Sequence, residues 1–396
     1  MAMVSAGVTL RVRAWIGALC GVAGCASPVC GAGQSALNPS FGDGEFLYQD
    51  DVVLEFGIEL GDPDALPTEP DPDADDVPAT LSFDGQAYEV GLSLKGTTSW
   101  EPISRKPAFK IDMHEYDREQ TLFGVRRLTF NNMVQDVSQL SEHLAVRLFA
   151  AAGVPSPRQG YACLSINGER LGLYSVVETP DEQLLERILG ETGGALLEGD
   201  QVADLMDRHV FRFDVEEGDE AVLDLLRAFV EELDATAPEA YLELLDRWTD
   251  REALLAYWAA DILIGNYDGY ASYIHNYFVI WSESEQRLTM MPWGVDRAFS
   301  RTLDPHVPDE LTERGRMGRL FRDCVASAPC RAAYDKKRAE IQELVVEMDL
   351  AGLADDARER LRSSPEIDLR NEVGALETRA VRRRVVRYVR DIPEQE

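Results

Sequence analysis

The sequence predicts an α+β chain, with strands in its first half and helices in its second. Three observations carry that reading. Apolar residues alternate with a period of two through Leu54–Leu60 and again through Tyr88–Leu94. Asp84-Gly85 and Asn167-Gly168 interrupt runs of this kind, and such dipeptides mark hairpins. Beyond residue 181 the chain turns to long helical segments, broken by one short pair of strands.

The elements follow in order. Arg11 and Arg13 precede an apolar stretch, Ala14–Ala23, that ends in Val22-Ala23-Gly24-Cys25. A charged region, a short apolar region and small residues describe a secretory signal over residues 1–24, not a membrane span. A Cys directly after small residues resembles the bacterial lipobox. This makes Cys25 the expected lipidated N-terminus, with residues 25–40 as its tether. The expected location is therefore the bacterial cell envelope, reached by export and held by a lipid. No later run reaches the roughly 20 apolar residues of a membrane helix.

A β-rich part is expected over residues 41–180. Leu54, Phe56, Ile58 and Leu60 give its first strand. Residues 61–78 are rich in Asp and Pro and cannot build a core, so they read as a solvated loop. Asp71, Asp73 and Asp75 begin like a calcium loop, but the Gly at its sixth position and the Glu at its twelfth are missing. Leu81 and Phe83, then Tyr88–Leu94, form a hairpin around Asp84-Gly85. In Phe109–Met113 the alternation turns Lys110 away from Phe109 and Ile111. Another strand runs through Arg127–Phe130. A helix is expected over Val137–Ala152, with Leu140, Leu144, Ala145 and Leu148 on its apolar face and Gly153 and Pro155 ending it. Tyr161–Ile166 and Leu171–Val177 flank Asn167-Gly168. In residues 181–396, helices are expected at Glu217–Ala235, Pro238–Arg247, Arg251–Gly265, Arg331–Met348 and Ile367–Arg390, with strands at Ile274–Trp281 and Arg287–Met291. A β-rich lobe carrying one helix, then a mostly helical lobe, is the order of a bilobal protein-kinase-like fold.

The 396 residues carry a formal net charge of −32. So acidic a surface repels nucleic acid and anionic membrane, leaving the lipid as the one expected membrane contact. Cys324 and Cys330 are close in sequence, and export permits a disulfide between them. The Cys and His spacings match no zinc site. Gly91-Leu92-Ser93-Leu94 stops short of a nucleophile elbow, because Lys95 stands where a second Gly belongs.

The chemistry concentrates in Asn266-Tyr267-Asp268-Gly269-Tyr270 and Trp293-Gly294-Val295-Asp296-Arg297-Ala298-Phe299, with Asn276 between. A carboxylate, a downstream amide and a second carboxylate can hold a hydroxyl and Mg²⁺ around a nucleoside triphosphate. The Asn follows the first Asp by eight residues here, and by five in ordinary protein kinases. Two other readings stand beside a kinase. One is a surface scaffold or binding protein that has lost phosphate transfer. The other is a secreted hydrolase using Asp268 and Asp296 as an acid/base pair; it leaves Lys110, the strand–helix order and Asn276 without a role.

A series of motifs in fixed order resembles the CotH kinase family, atypical secretory kinases named after a spore-coat protein. They are Val90–Gly96, Lys106–Ile111, Phe123-Gly124-Val125, Leu128–Asn132, Asp136-Val137-Ser138, Gly153–Arg158, Asn167-Gly168 with Gly172–Glu178, and the Asp268 and Asp296 segments. The resemblance spans roughly Leu54–Phe299. It implies ATP and Mg²⁺ (or Mn²⁺) as cofactors, and a Ser/Thr-type hydroxyl of an envelope or coat protein as acceptor. Lys110 looks like the lysine that contacts phosphates, Glu142 like its ion-pair partner, and Glu178 like the start of the hinge that meets the nucleotide base through its backbone. Asp268 looks like the catalytic base, and Asn276 and Asp296 like metal ligands. Lys95 stands where the family often has Arg beside a Gly; it keeps the charge but not the bidentate fork. Gly96-Thr97-Thr98-Ser99 is a glycine-poor phosphate loop, and Gly269 stands where a basic residue usually follows the base.

Overall fold

A computed structural model describes residues 44–71, 74–136, 138–199, 202–299 and 317–362. The predicted signal peptide, Cys25, the tether and the helix at Ile367–Arg390 lie outside these residues. The architecture is α+β, with strands first and helices after, as the alternation requires.

Seven strands close into a barrel: β1 (Val53–Leu60), β2 (Val77–Phe83), β3 (Gln86–Lys95), β4 (Ala108–Asp112), β5 (Arg127–Asn131), β6 (Gln159–Ile166) and β7 (Glu169–Glu178), in the order β1-β2-β3-β4-β5-β7-β6. Closure comes from a parallel pairing of β1 with β6, which sets Phe56 beside Leu164. Closure removes the open edges that a strand sheet otherwise exposes. The interior is filled by the alternating residues of the sequence, including Leu54, Phe56, Ile58, Leu81, Phe109, Ile111 and Phe130. Each such side chain stabilises by about 1.5–3 kcal/mol when withdrawn from water. The acidic loop is shorter than expected, because β2 already begins at Val77.

β6 and β7 serve two cores, which is why their sequences are apolar with little alternation. Ala162, Leu164, Tyr174 and Val176 face the barrel interior. Tyr161, Cys163 and Leu173 face the opposite way, into the core of the helical part. The helix α1 (Ser141–Ala151) lies on that outer face and packs against β6, a later helix and the short turn at Val295–Arg297. It starts at residue 141, later than the period suggests. Asp136 accepts from the Ser141 amide at 2.7 Å and from the Ser138 amide and hydroxyl, and so ends the preceding turn.

The second half contains more strand than expected. Between α2 (Glu182–Leu189) and α3 (Val222–Ala235) lie β8 (Ala195–Gly199) and β9 (Phe213–Glu217), and these join β10 (Tyr277–Ser282) and β11 (Arg287–Pro292) in one sheet of order β11-β10-β8-β9. The helix expected from Glu217 therefore begins at Val222. Helices α4 (Tyr241–Trp248), α5 (Arg251–Leu263) and α6 (Tyr270–Tyr273) lead to the site, and α7 (Arg319–Ala326), α8 (Ala328–Glu347) and α9 (Leu350–Leu361) follow it. α5 is buried on every side from Ala253 to Leu263, which makes it the central post of the helical part. Cys324 and Cys330, both fully buried, form a disulfide between α7 and α8. No helix of the described residues is long and apolar enough to cross a membrane.

Candidate active site

Strand alternation brings the basic residues to one side of the barrel. Lys95 is the last residue of β3, paired with Ala108, and Lys110 pairs with Ser93 and Thr129. Both lysines therefore stand on the outer face, which α1 covers beyond β5. Lys95 Nζ donates to Asn131 Oδ1 at 2.6 Å, and Asn131 Nδ2 donates to Glu142 Oε1 at 3.1 Å. Ser175, directly across from Asn131 on β7, donates to Glu142 Oε2 at 2.6 Å. Lys95 also lies 5.3 Å from the centre of the Trp293 ring. Burial pulls Lys95 down to about 8, with Glu142 opposing and Lys110 adding to the fall.

This arrangement differs from the expected pairing of Lys110 with Glu142. Lys110 is exposed in the middle of β4. Burial raises the carboxyls of Glu198 and Glu216, from β8 and β9, and the nearby charge of Lys110 opposes that rise. Lys95 reaches Glu142 through Asn131 because it ends its strand beside the start of α1; Lys110 lies two residues into a neighbouring strand. Asn131 and Ser175 are the residues that sequence reasoning missed. Asn131 lay inside a quoted motif, but a strand-end Asn carries no signal of its own.

Glu178 ends β7 and is buried. Arg158 Nη2 donates to its Oε1 at 2.8 Å and Arg187 Nη2 to its Oε2 at 2.6 Å. Its backbone N–H, the group expected at the nucleotide base, donates to Arg158 O at 2.9 Å. The structure thus gives Glu178 a joining role between β7, the 156–158 segment and α2.

The two carboxylate segments meet at the end of α5. Asp268 lies in a turn after α5, within reach of Arg297 Nη1 at 3.4 Å and His275 Nδ1 at 3.8 Å. Arg297 also stacks over Tyr267 at 4.6 Å. Asn276 and Gly294 face each other where β10 and β11 end, both in left-handed backbone with φ of 51° and 53°. The Asn276 side chain donates to Gly294 O at 3.4 Å, and a Cβ on Gly294 would come within 3.1 Å of that amide. Glycine at 294 is thus favoured twice over, by conformation and by the tight approach of the Asn276 amide. Asp296 follows in the turn, which Phe299 N ties to Ile264 O at 2.7 Å. Burial pushes Asp296 up to about 8; Glu142, Asp136 and Asp268 raise it and Lys95 opposes them. Four carboxylates thus influence one another around a single partly buried lysine, an excess of negative charge that a cation would relieve.

The residues suit a magnesium ion. The donors gathered here, a carboxylate on Asp296 and an amide oxygen on Asn276, are the hard oxygen ligands Mg²⁺ prefers. A separate acidic group, Asp76, Asp112 and Glu115, lies on the barrel surface among solvated residues. There Asp112 already engages His114 and Arg127.

The profile of the CotH kinase protein family matches residues 92–388. The chain is also 21% identical over 241 residues to the inner spore coat protein H of Bacillus subtilis (strain 168), covering 58% of this chain and 64% of that protein's length. That profile takes in the barrel from β3 onward, both carboxylate segments and the helices beyond, and the chain belongs to the CotH kinase family.

Proposed function

We propose that this protein is an exported Mg-ATP-dependent kinase with a bilobal, protein-kinase-like arrangement. Its acceptor is a Ser/Thr-type hydroxyl on a coat or envelope protein. The observation that carries the reading is the chain of contacts Lys95–Asn131–Glu142 set beside Asp296. A cation and a metal-ready carboxylate on opposite parts of the molecule are what a triphosphate needs on its two sides.

In this reading Lys95 neutralises phosphate oxygens, and Glu142 with Asn131 fixes its position. Lys110, farther out, adds positive charge at the mouth. Asp296 and Asn276 hold Mg²⁺, which when bound supplies charge neutralisation at the phosphates. Asp268 accepts the acceptor's hydroxyl proton as the new O–P bond to the γ-phosphorus forms and the bond to the β-phosphate oxygen breaks, releasing ADP. Arg297 and His275 orient the Asp268 carboxylate before the acceptor arrives. Glu178 keeps the two parts in register at their junction. The family relationship and the spore-coat relative support the coat as the acceptor's setting. The Cys324–Cys330 disulfide supports an oxidising compartment.

The guanidinium of Arg297 beside Asp268 favours a second reading, a scaffold without transfer, because a paired carboxylate is a weaker base. The test is incubation of the purified protein with Mg²⁺ and γ-labelled ATP, alone and with coat or envelope extract. Label is expected on a Ser or Thr with wild type and not with Asp268→Asn. Equal labelling by both removes Asp268 as the base. ATP binding without any labelling leaves the scaffold reading.

A further inference from the structure

Asp261 is a buried carboxylate to which nothing above gives a task. It lies near the C-terminal end of α5 and is fully buried. A carboxylate in such a place normally faces a cation or several donors. Asp261 has one side-chain donor, Asn266 Nδ2, at 2.7 Å from Oδ1, and its Oδ2 has no hydrogen-bond partner. Burial lifts it to about 7, with Asn266 and the Ala271 amide pulling the other way. A core position this costly is filled by an apolar residue unless the polar group does something.

What it touches is the turn that carries Asp268. Asn266 is also fully buried, and its own amide donates to Asp261 O at 3.0 Å. Asn266 O then accepts from the Gly269 amide at 3.2 Å, which closes the turn around Asp268. Gly269 O in turn accepts from the Tyr273 amide at 2.9 Å and starts α6. A Cβ built on Gly269 would lie 2.5 Å from both Asp261 oxygens and 2.7 Å from Asn266 Nδ2. The backbone of Gly269 is ordinary, with φ −85° and ψ 178°, so any residue could adopt it. Glycine stands there for space alone, and the space is taken by the Asp261 carboxylate and the Asn266 amide that it holds.

We infer that Asp261 is a positioning residue: with Asn266 and the missing side chain of Gly269 it forms a buried clamp that fixes the turn presenting Asp268. The effect of the clamp on phosphoryl transfer rests on the kinase reading above; the clamp itself does not. Asn266 is held by side chain and backbone at once, and Asp268 is two residues away. A shift of the turn by the width of one methyl group moves Asp268 off the acceptor hydroxyl without touching Lys95, Asn276 or Asp296. The clamp therefore acts on transfer and not on nucleotide affinity.

The experiment uses the full chain as wild type, Asp261→Ala, Asp261→Asn, Gly269→Ala and the double variant Asp261→Ala/Gly269→Ala. It reads kcat for phosphoryl transfer, the affinity for Mg²⁺ with a non-hydrolysable ATP analogue, and amide hydrogen exchange over residues 266–270. Misplacement of a reacting group by about 1 Å costs about 100-fold, so Asp261→Ala and Gly269→Ala are each expected to lose about 100-fold in kcat and less than about threefold in analogue affinity. Asp261→Asn keeps the acceptor for Asn266 Nδ2 and is expected to recover most of the kcat that Asp261→Ala loses. In the double variant the carboxylate is gone and the Asn266 amide, released from its acceptor, can turn away from the new methyl group, so its loss should not exceed that of Asp261→Ala. Exchange over 266–270 should be faster in Asp261→Ala than in wild type and restored in Asp261→Asn. The inference is overturned by losses that multiply in the double variant, or by exchange over 266–270 that Asp261→Ala leaves unchanged. It is equally overturned if Asp261→Asn loses as much as Asp261→Ala. If wild type transfers no phosphate, the kinase reading fails, and the exchange measurement still decides the clamp. Should Asp261→Ala not fold, Gly269→Ala against Asp261→Asn carries the same comparison.

Discussion

Lys95 and Lys110 differ by where the strand ends, and in the proposed kinase that difference decides which of them meets the phosphates. Both stand on the outer face of the barrel, but only Lys95 has a fixed partner chain, through Asn131 to Glu142. Lys95→Met is expected to lower kcat for transfer by about 100-fold, the loss typical of one preorganised charge donor, and Lys110→Met by about tenfold or less. Steady-state kinetics of the two variants decides this; equal losses would return Lys110 to the role its motif suggested. Asp261 gives a second residue-level expectation. Its folded carboxyl is raised to about 7 from the ordinary 3.8, so between those values the folded state holds a proton that the unfolded chain has released. That raised value contributes stability which is present below about pH 4, falls as pH rises and is gone above about pH 7. Asp261→Asn cannot titrate there. Wild type should lose stability relative to it by up to about 1.4 kcal/mol per pH unit across that window. Denaturant unfolding of both proteins at pH 4, 5.5 and 7 checks it; parallel curves would contradict it.

At the scale of elements, the barrel strands and the β10–β11 pair were legible, and the two short strands β8 and β9 were not. Leu54–Leu60 and Tyr88–Leu94 alternate because one face looks into the barrel and the other away from it. β8 and β9 escaped notice because Ala195–Gly199 and Phe213–Glu217 are short and lie near helix formers. Pairing of β8 with β10 on one side and β9 on the other places them in a sheet that their own sequences do not announce. α1 began four residues later than its period suggested, since Asp136 captures the amides of Ser138 and Ser141 before the helix can start. Asp268, Asn276 and Asp296 stand out in the sequence as two carboxylates with an amide between them. Asn131, Ser175 and Asp261 do not, because each acts through a neighbour that only the fold supplies. The α7–α8 disulfide allows an element-scale test. Its short loop restricts the unfolded chain and contributes about 2 kcal/mol. Replacing both cysteines by Ser should lower the unfolding free energy by about that amount in oxidised protein; an unfolding free energy equal to wild type would contradict it.

For the whole molecule, the junction between barrel and helical part matters as much as either. Glu178 is gripped by Arg158 and Arg187, and through them by the 156–158 segment and α2. Both guanidinium groups reach solvent, so removing their partner costs less than in a fully dry pair. Glu178→Ala is expected to destabilise by about 2–3 kcal/mol and, in the proposed kinase, to weaken Mg·ATP binding as the two parts lose register. An unfolding curve with the wild-type midpoint would remove Glu178 from that role. The shared core has the same effect: Tyr161 and Leu173 face the helices while Ala162 and Tyr174 face the barrel, so β6 and β7 cannot move without disturbing both.

The central claim is that Asp296 and Lys95 hold a metal-bound triphosphate between the two parts. The most direct measurement is calorimetric titration of ATP into the full protein with and without Mg²⁺, for wild type and Asp296→Asn. Wild type should bind ATP only weakly without Mg²⁺ and at least about tenfold more tightly with it, since the carboxylate's charge is what retains the metal. In Asp296→Asn the gain from Mg²⁺ should vanish while the weak metal-free binding remains. A wild type whose ATP affinity does not respond to Mg²⁺, or an Asp296→Asn protein that keeps the full response, would contradict the claim.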